Sequence, residues 1–399
     1  MRIIKTIIRS RGARAAAVLT ISASVPLLSI VAADILPEAY LYISEAAKYS
    51  DIVSRPLSEG NAVNNGDLML YIPQEQAVQT EEVQEPVENP HEKETAVLMA
   101  QNISAIQEDI SVYTGNSGEI YEMTFNGSLG ADFINLPEGG QVRNCTALSN
   151  DFVTRESLMD FNIPIELFSI EPQVLIMHTH TTESYELTEK DYYDEEYISR
   201  SSDPDNSVVA VGRAIAEELS EAGIAVIHDG TIHDAQYTGA YDRSLETVEK
   251  ILAEFPSIKI VLDIHRDAIE DSGDRVSAVT EINGRKAAQV MIISAADDGT
   301  YNMPHYLENF HFACALQQAI ESSYPTLTRP ILFQYCHYNQ HTTTGSLLLE
   351  IGSHGNTVEQ AVYTGELVGK ALAGLFTDMT VYEQPVMNTM PRFFLDRLR

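Results

Sequence analysis

The sequence predicts an α/β fold, a mixed central sheet covered by helices on both faces, preceded by a transmembrane helix and an acidic linker. Three observations carry this expectation. From Pro172 onward, short apolar runs alternate with segments of helical spacing, the pattern of strands crossed over by helices. Residues 1–14 carry Arg2, Lys5, Arg9, Arg11 and Arg14 with no acid, and Ala15–Ala33 then runs without a charge. Between these regions lies "PQEQAVQTEEVQEPVENPHEKET", rich in proline and glutamate and poor in large apolar residues.

At about 1.5 Å per residue, the uncharged run nearly spans a hydrocarbon core of about 30 Å, and its basic flank is expected to stay in the cytoplasm. The body is therefore expected outside, on a single-pass anchor in the cell membrane. Val31-Ala32-Ala33 also suits a cleavage site, but the run is long for a signal peptide and favours an uncleaved anchor. The acidic stretch cannot bury enough apolar area to offset its ordering entropy, so it reads as a tether.

The expected organisation is a cytoplasmic tip and anchor over 1–36, a membrane-proximal segment and tether over 37–109, and a small strand-rich lead-in over 110–171. The α/β domain follows over 172–380, and a tail over 381–399. In the lead-in, Asn126-Gly127 and Gly139-Gly140 mark turns. "VLIMH" reads as a buried strand, Ser207–Ala222 as a helix ended by Gly223, "IAVIHD" as a strand, and Tyr241–Glu254 as a helix stopped by Pro256. "IKIVLDIH" is a further buried strand. "RVSAVTEINGRKAAQVMIIS" reads as two strands around the hairpin signal Asn283-Gly284. Glu308–Ser322 is helical, "GSLLLEIG" is a strand, and Thr357–Phe376 closes as an amphipathic helix.

A net charge of −33 excludes nucleic acid and an anionic membrane surface as ligands of the main body, because both require a basic footprint. Cys145, Cys314 and Cys336 form no C-x-x-C pair and are too few for a disulfide scaffold; they read as structural.

In open α/β sheets, ligands gather at the carboxyl ends of strands. Three apolar runs here end in chemistry-bearing residues: "VLIMHTH", "IVLDIH" and "SLLLEIG". His180 and Glu183 form an H-x-x-E pair, and His265 adds a distant nitrogen, a ligand set that zinc hydrolases use with an open fourth position for water. His178 is a rival ligand or a supporting residue, since alternation would put it on the same face as His180 if the strand reached that far. Glu350 is the candidate general base or acid, its pKa raised by burial; pairing with Arg266 or Arg329 is the bland alternative. His228 and His233 have Asp229 and Asp234 beside them and read as paired structural histidines or a rim. Tyr338–His341 reads as a polar loop in which Asn339 and Gln340 are candidate substrate-binding residues.

"VLIMHTHTTESY", "HDGTIHD", "PSIKIVLDIHRDA", "YNQH" and "LLLEIGSHGNT", in this order, resemble the stage II sporulation protein P family of endospore-forming bacteria over roughly residues 172–376. The resemblance implies a membrane-anchored peptidoglycan hydrolase similar to the zinc-dependent N-acetylmuramoyl-L-alanine amidases, with endopeptidase activity also credited to the family, acting in forespore engulfment at the sporulation septum. It implies Zn2+ held by His180, Glu183 and His265, and Glu350 as the catalytic glutamate. It implies peptidoglycan as substrate and the stage II sporulation proteins D and M as partners. Two other readings stay open on the residues alone. One is a metallocarboxypeptidase, in which Arg266 or Arg329 would hold a terminal carboxylate; the other is a tethered wall-binding scaffold without catalysis.

Overall fold

The computed structural model describes residues 68–71, 117–194, 197 and 199–379. The expected anchor over 1–36 and the tether lie outside these residues; among the described residues no helix is long and apolar enough to cross a membrane. The chain divides into units 1–70 and 71–399. Of the first, residues 68–70 are described, in strand β1 (Leu68–Tyr71).

The second unit begins with β2 (Ser117–Met123), β3 (Phe133–Asn135), β4 (Gln141–Cys145) and a short helix α1 (Asn150–Glu156). There follow β5 (Val174–Met177), β6 (Tyr192–Asp194), α2 (Val208–Glu221), β7 (Val226–Asp229), α3 (Ala240–Glu254) and β8 (Ile260–Asp267). The chain continues through β9 (Glu270–Asp271), β10 (Asp274–Ile282), β11 (Arg285–Ala288), β12 (Val290–Ala296), α4 (Tyr306–Ser323), β13 (Ile331–Tyr335), β14 (Ser346–Ser353) and α5 (Val358–Met379).

Strands β5, β7 and β8 and the run Ser346–Leu349 are buried residue after residue, without inside-outside alternation. Strands of that kind belong in the interior of a sheet covered on its faces, and parallel sheets are built this way. The main sheet accordingly has the order β7-β5-β8-β14-β12-β13-β4-β3. The first four strands are mutually parallel, β12 runs antiparallel to β14, β13 and β4 follow β12, and β3 turns back against β4. The expected mixed central sheet with helices is therefore observed. A second sheet orders β11-β10-β2-β6, with β9 beside β10.

The helices obey local chemistry. Ser207 caps α2 by accepting the Val209 N–H, and Val208, Val211, Ile215 and Leu219 recur at helical spacing and are fully buried. Helix α5 crosses α2 closely at Gly369, where an added Cβ would stand 2.7 Å from Glu218 Cβ. The core between these helices, α4 and the sheet is filled by Phe310, Phe312, Phe333 and Phe376.

Two expectations change. The stretch after Asn283-Gly284 is one strand on the sequence but two in the structure: the turn joins β10 to β11, and Gln289 then diverts the chain into the main sheet as β12. Gln289 is fully buried, and its amide bonds Phe125 N, Phe125 O and Thr326 O, which breaks the ladder at that residue. The lead-in also holds α1, capped by Ser149, which buries only Val153 and so carries little periodic signal. Strands β3 and β4 of that segment extend the main sheet.

Candidate active site

Because β7, β5, β8 and β14 are parallel neighbours, whatever follows each strand arrives at the same sheet edge. His180 and Glu183 follow β5, while His265 and Glu350 lie near the ends of β8 and β14. Glu350 and His265 are paired in register.

A tight turn after β5 places Glu183, whose N–H donates to His180 O at 2.9 Å. Glu183 Oε2 accepts the Arg266 backbone N–H at 3.1 Å and lies 3.4 Å from His265 Nδ1. Burial pushes this carboxyl up, but His265 and Arg266 outweigh it and hold Glu183 at about 2. His265 Nε2 lies 2.8 Å from Asp263 Oδ1, although off the line a good hydrogen bond takes. Burial disfavours the imidazolium, yet Asp263 and Glu183 on its two sides raise the His265 pKa well above the usual range. Asp263 is fixed in turn by the Thr179 N–H at 2.8 Å and the Thr179 hydroxyl at 2.7 Å.

The His180 ring lies 4.7 Å from the Tyr237 ring in a parallel stack and meets Tyr241 edge-on. Its Nδ1 is enclosed and without a hydrogen-bond partner, the nearest acid being Asp234 Oδ2 at 3.9 Å. Glu350 keeps part of its side chain open to solvent, but Oε2 is enclosed and also lacks a partner. Burial first, then the charges of Glu183 and Asp267, push Glu350 up to about 8 against the opposing pull of His265.

Among the described residues, no three ligand-type side chains form a preformed metal cage. The spacing of the two imidazoles, however, is the one a shared divalent ion would require. His180 and His265 have ring centroids 5.4 Å apart and planes at 89°; two imidazoles on one tetrahedral ion, with Zn–N about 2.1 Å, place their centroids about 5 Å apart. Glu183 Oε2 lies beside the other His265 nitrogen, Nδ1. The Asp263 carboxylate on the far nitrogen of His265 is the support that metal-binding imidazoles usually have.

His178 points elsewhere. Strand β5 ends at Met177, so strand alternation does not extend through His178 to His180. Its Nδ1 meets Ile264 O at 3.0 Å and its Nε2 meets His228 Nε2 at 2.9 Å. One ring of that pair must donate, and burial holds the His178 pKa down at about 4. His233 is likewise internal, bonding His178 O and Thr247.

The three expected substrate-binding residues make hydrogen bonds within the fold. The Arg266 guanidinium donates to Ser184 O and Ser199 O, holding the loop that carries Glu183. Gln340 spends its amide on Ala295 N and Ile293 O, and Asn339 donates to Tyr241 O and Ser244 Oγ. Glu350 pairs with neither arginine; Arg329 instead donates to Asp267 Oδ2 at 2.8 Å.

Asp263 escaped the sequence reading although a signal existed: it stands two residues before His265 on one strand, hence on the same face. Tyr237 and Tyr241 carry no such signal, because the β7–α3 loop and the first turn of α3 bring them in. A cleft of about 450 Å³ lies apart from the constellation; Glu122, Glu189, Lys190 and Lys286 line it, with Lys286 paired to Glu122 and Glu189.

The family model described as stage II sporulation protein P matches residues 44–373. Stage II sporulation protein P of Bacillus subtilis (strain 168) is 27% identical over 218 residues, 52% of this chain and 50% of that protein. The match thus spans about half the length of that curated relative. Among solved structures, the N-acetylmuramoyl-L-alanine amidase AmiC2 of Nostoc punctiforme is similar at a TM-score of 0.32 and 11% identity, over 52% of this chain and 96% of that one. The CwlD amidase of Clostridioides difficile, in complex with the GerS lipoprotein, is similar at a TM-score of 0.31 and 13% identity, over 51% of this chain and 94% of that one.

Proposed function

The chain belongs to the stage II sporulation protein P family, and from that premise we propose that it is a peptidoglycan hydrolase of sporulation, a zinc-dependent N-acetylmuramoyl-L-alanine amidase with residues 172–380 as its catalytic part. The observation that carries the reading is the meeting of His180, Glu183, His265 and Glu350 at one sheet edge, with donor atoms of His180 and Glu350 enclosed and unpartnered.

His180, rather than His178, would hold the metal together with Glu183 and His265. Bound there, Zn2+ supplies a positive charge that polarises the amide carbonyl and makes water acidic enough to attack near neutral pH. The chain's own groups do the rest. Asp263 orients His265, and the Arg266 N–H orients Glu183. Glu350 accepts a proton from the attacking water as the C–O bond forms. Once protonated, it donates that proton to the leaving nitrogen as the C–N bond breaks, freeing a lactyl carboxylate and the amine of L-alanine. The raised proton affinity of Glu350 suits both halves of this exchange.

By membership of the family, the expected setting is forespore engulfment with the stage II sporulation proteins D and M as partners. The basic N-terminal flank and uncharged run support a membrane anchor with the hydrolase outside. The test is digestion of purified wall by the full chain, with and without a chelator, followed by mass analysis. Free L-alanine amines that vanish with chelator are the expected result. Release of terminal amino acids instead would favour a carboxypeptidase, and an undigested wall would favour a scaffold.

A further inference from the structure

Arg329 lies two residues before β13, and its backbone N–H donates to Val290 O at the start of β12. Val290 pairs with Ile351, the residue after Glu350, so Arg329 belongs to the same sheet edge as the candidate catalytic glutamate. Its side chain is 7% exposed. One terminal nitrogen, Nη1, is clamped by Asp267 Oδ2 at 2.8 Å, and the Phe125 ring lies 5.9 Å from the guanidinium carbon. The other two nitrogens, Nε and Nη2, are enclosed and have no hydrogen-bond partner among the described residues.

The identity of these two atoms matters. Nε–H and the outer N–H of Nη2 point the same way and form the side-on fork with which arginine takes both oxygens of a carboxylate. Leaving two donors of a buried cation unmade is costly, whereas a bidentate charge-assisted pair recovers that cost. Arg266, the neighbouring buried arginine, has its guanidinium committed to backbone carbonyls, so it offers no equivalent fork. We propose that Arg329 is a substrate-binding residue whose Nε/Nη2 edge receives a carboxylate of the stem peptide at the sheet edge that carries Glu350.

This rests on the peptidoglycan reading. Two carboxylates of a muramyl peptide share the required chemistry: the branch carboxylate of the second residue and the chain-terminal one. The probes are therefore N-acetylmuramoyl-L-alanyl-D-isoglutamate with both carboxylates free, its branch carboxamide and its terminal carboxamide. Binding to the metal-depleted full chain is measured by calorimetry, which removes turnover. One of the two carboxamides is expected to bind about 10- to 100-fold more weakly than the free acid. The position that matters identifies the source.

In Arg329→Gln that discrimination is expected to disappear, and Arg329→Lys, which retains the charge but not the fork, to restore only part of it. A purely structural Arg329 would weaken all three ligands equally in the variants. Equal affinities in the wild-type chain, discrimination that survives in Arg329→Gln, or no binding of any probe would each overturn the proposal. Wall digestion by the same wild-type preparation separates the cases: digestion without carboxylate discrimination sinks this inference alone, whereas no digestion sinks the reading beneath it.

Discussion

Glu350 on β14 and His265 on β8 are paired in register on adjacent parallel strands, so a carboxyl raised to about 8 stands beside an imidazole held between two acids. Neighbouring strands set their relative position, which leaves little freedom for either group to drift. The proposed function gives the two residues distinct work, and that division can be measured.

Glu350→Gln keeps shape and volume but removes the proton acceptor. The expected outcome is wall-fragment release reduced about 10²- to 10⁴-fold, with zinc content unchanged. Mass analysis and elemental analysis of one preparation check both halves. A Glu350→Gln chain that digests wall at the wild-type rate would remove this residue from the mechanism.

His180→Ala is expected to lose zinc, because the ring supplies an enclosed nitrogen with no other partner. His178→Gln is expected to retain zinc, since both His178 nitrogens are engaged internally. Competition with a fluorescent chelator ranks the two; the reverse order would transfer the ligand role to His178.

Asp263 lies against His265 and, in the proposed site, acts through it. Asp263→Asn removes the charge while preserving the contacts with Thr179 as far as an amide can, and should weaken zinc binding about 10- to 100-fold. Unchanged affinity would mean that Asp263 merely fills space.

His354 is buried, and burial together with Arg275 and Arg266 holds its pKa at about 4, below the unfolded value of 6.5. The unfolded chain therefore binds the proton first, and stability falls as pH drops from about 6.5 toward about 4. At pH 5 the contribution is about 2 kcal/mol. Urea midpoints at pH 7.5 and pH 5 should differ less in His354→Gln than in the wild type; an identical difference would rule out this histidine as a source.

Gly212→Ala would normally favour α2 by about 1 kcal/mol. Here the added Cβ would stand 2.7 Å from His178 Cε1 and 2.8 Å from His228 Nε2, two fully enclosed rings that have no space to retreat. Net destabilisation of about 1–3 kcal/mol is expected, read as a lowered denaturation midpoint. A raised midpoint would show that the histidine pair is loosely packed.

Local patterning was enough to locate most of the elements from Pro172 onward. Val174–Met177, Ile260–Leu262 and Leu347–Leu349 are apolar runs that only a covered sheet accommodates, and the chain's own order shows that polar residues follow each one. That coincidence singled out His180, Glu183, His265 and Glu350 before any contact was known. Periodicity reports on a residue and its near neighbours in the chain, and this much it could report.

Which atoms meet is a different matter, because it depends on contacts between residues many positions apart. The end of β5 at Met177 turned His178 toward His228, and the last residue of β8, Asp267, rather than Glu350, went to Arg329. Arg266, Asn339 and Gln340 had the chemistry of substrate contacts, yet their side-chain N–H groups bond partners within the fold. A side chain's type is written in the sequence, but its partner is chosen by strand order and packing. The tertiary structure therefore decided which polar atoms were used in holding the fold and which, at His180, Glu350 and Arg329, stayed enclosed without a partner.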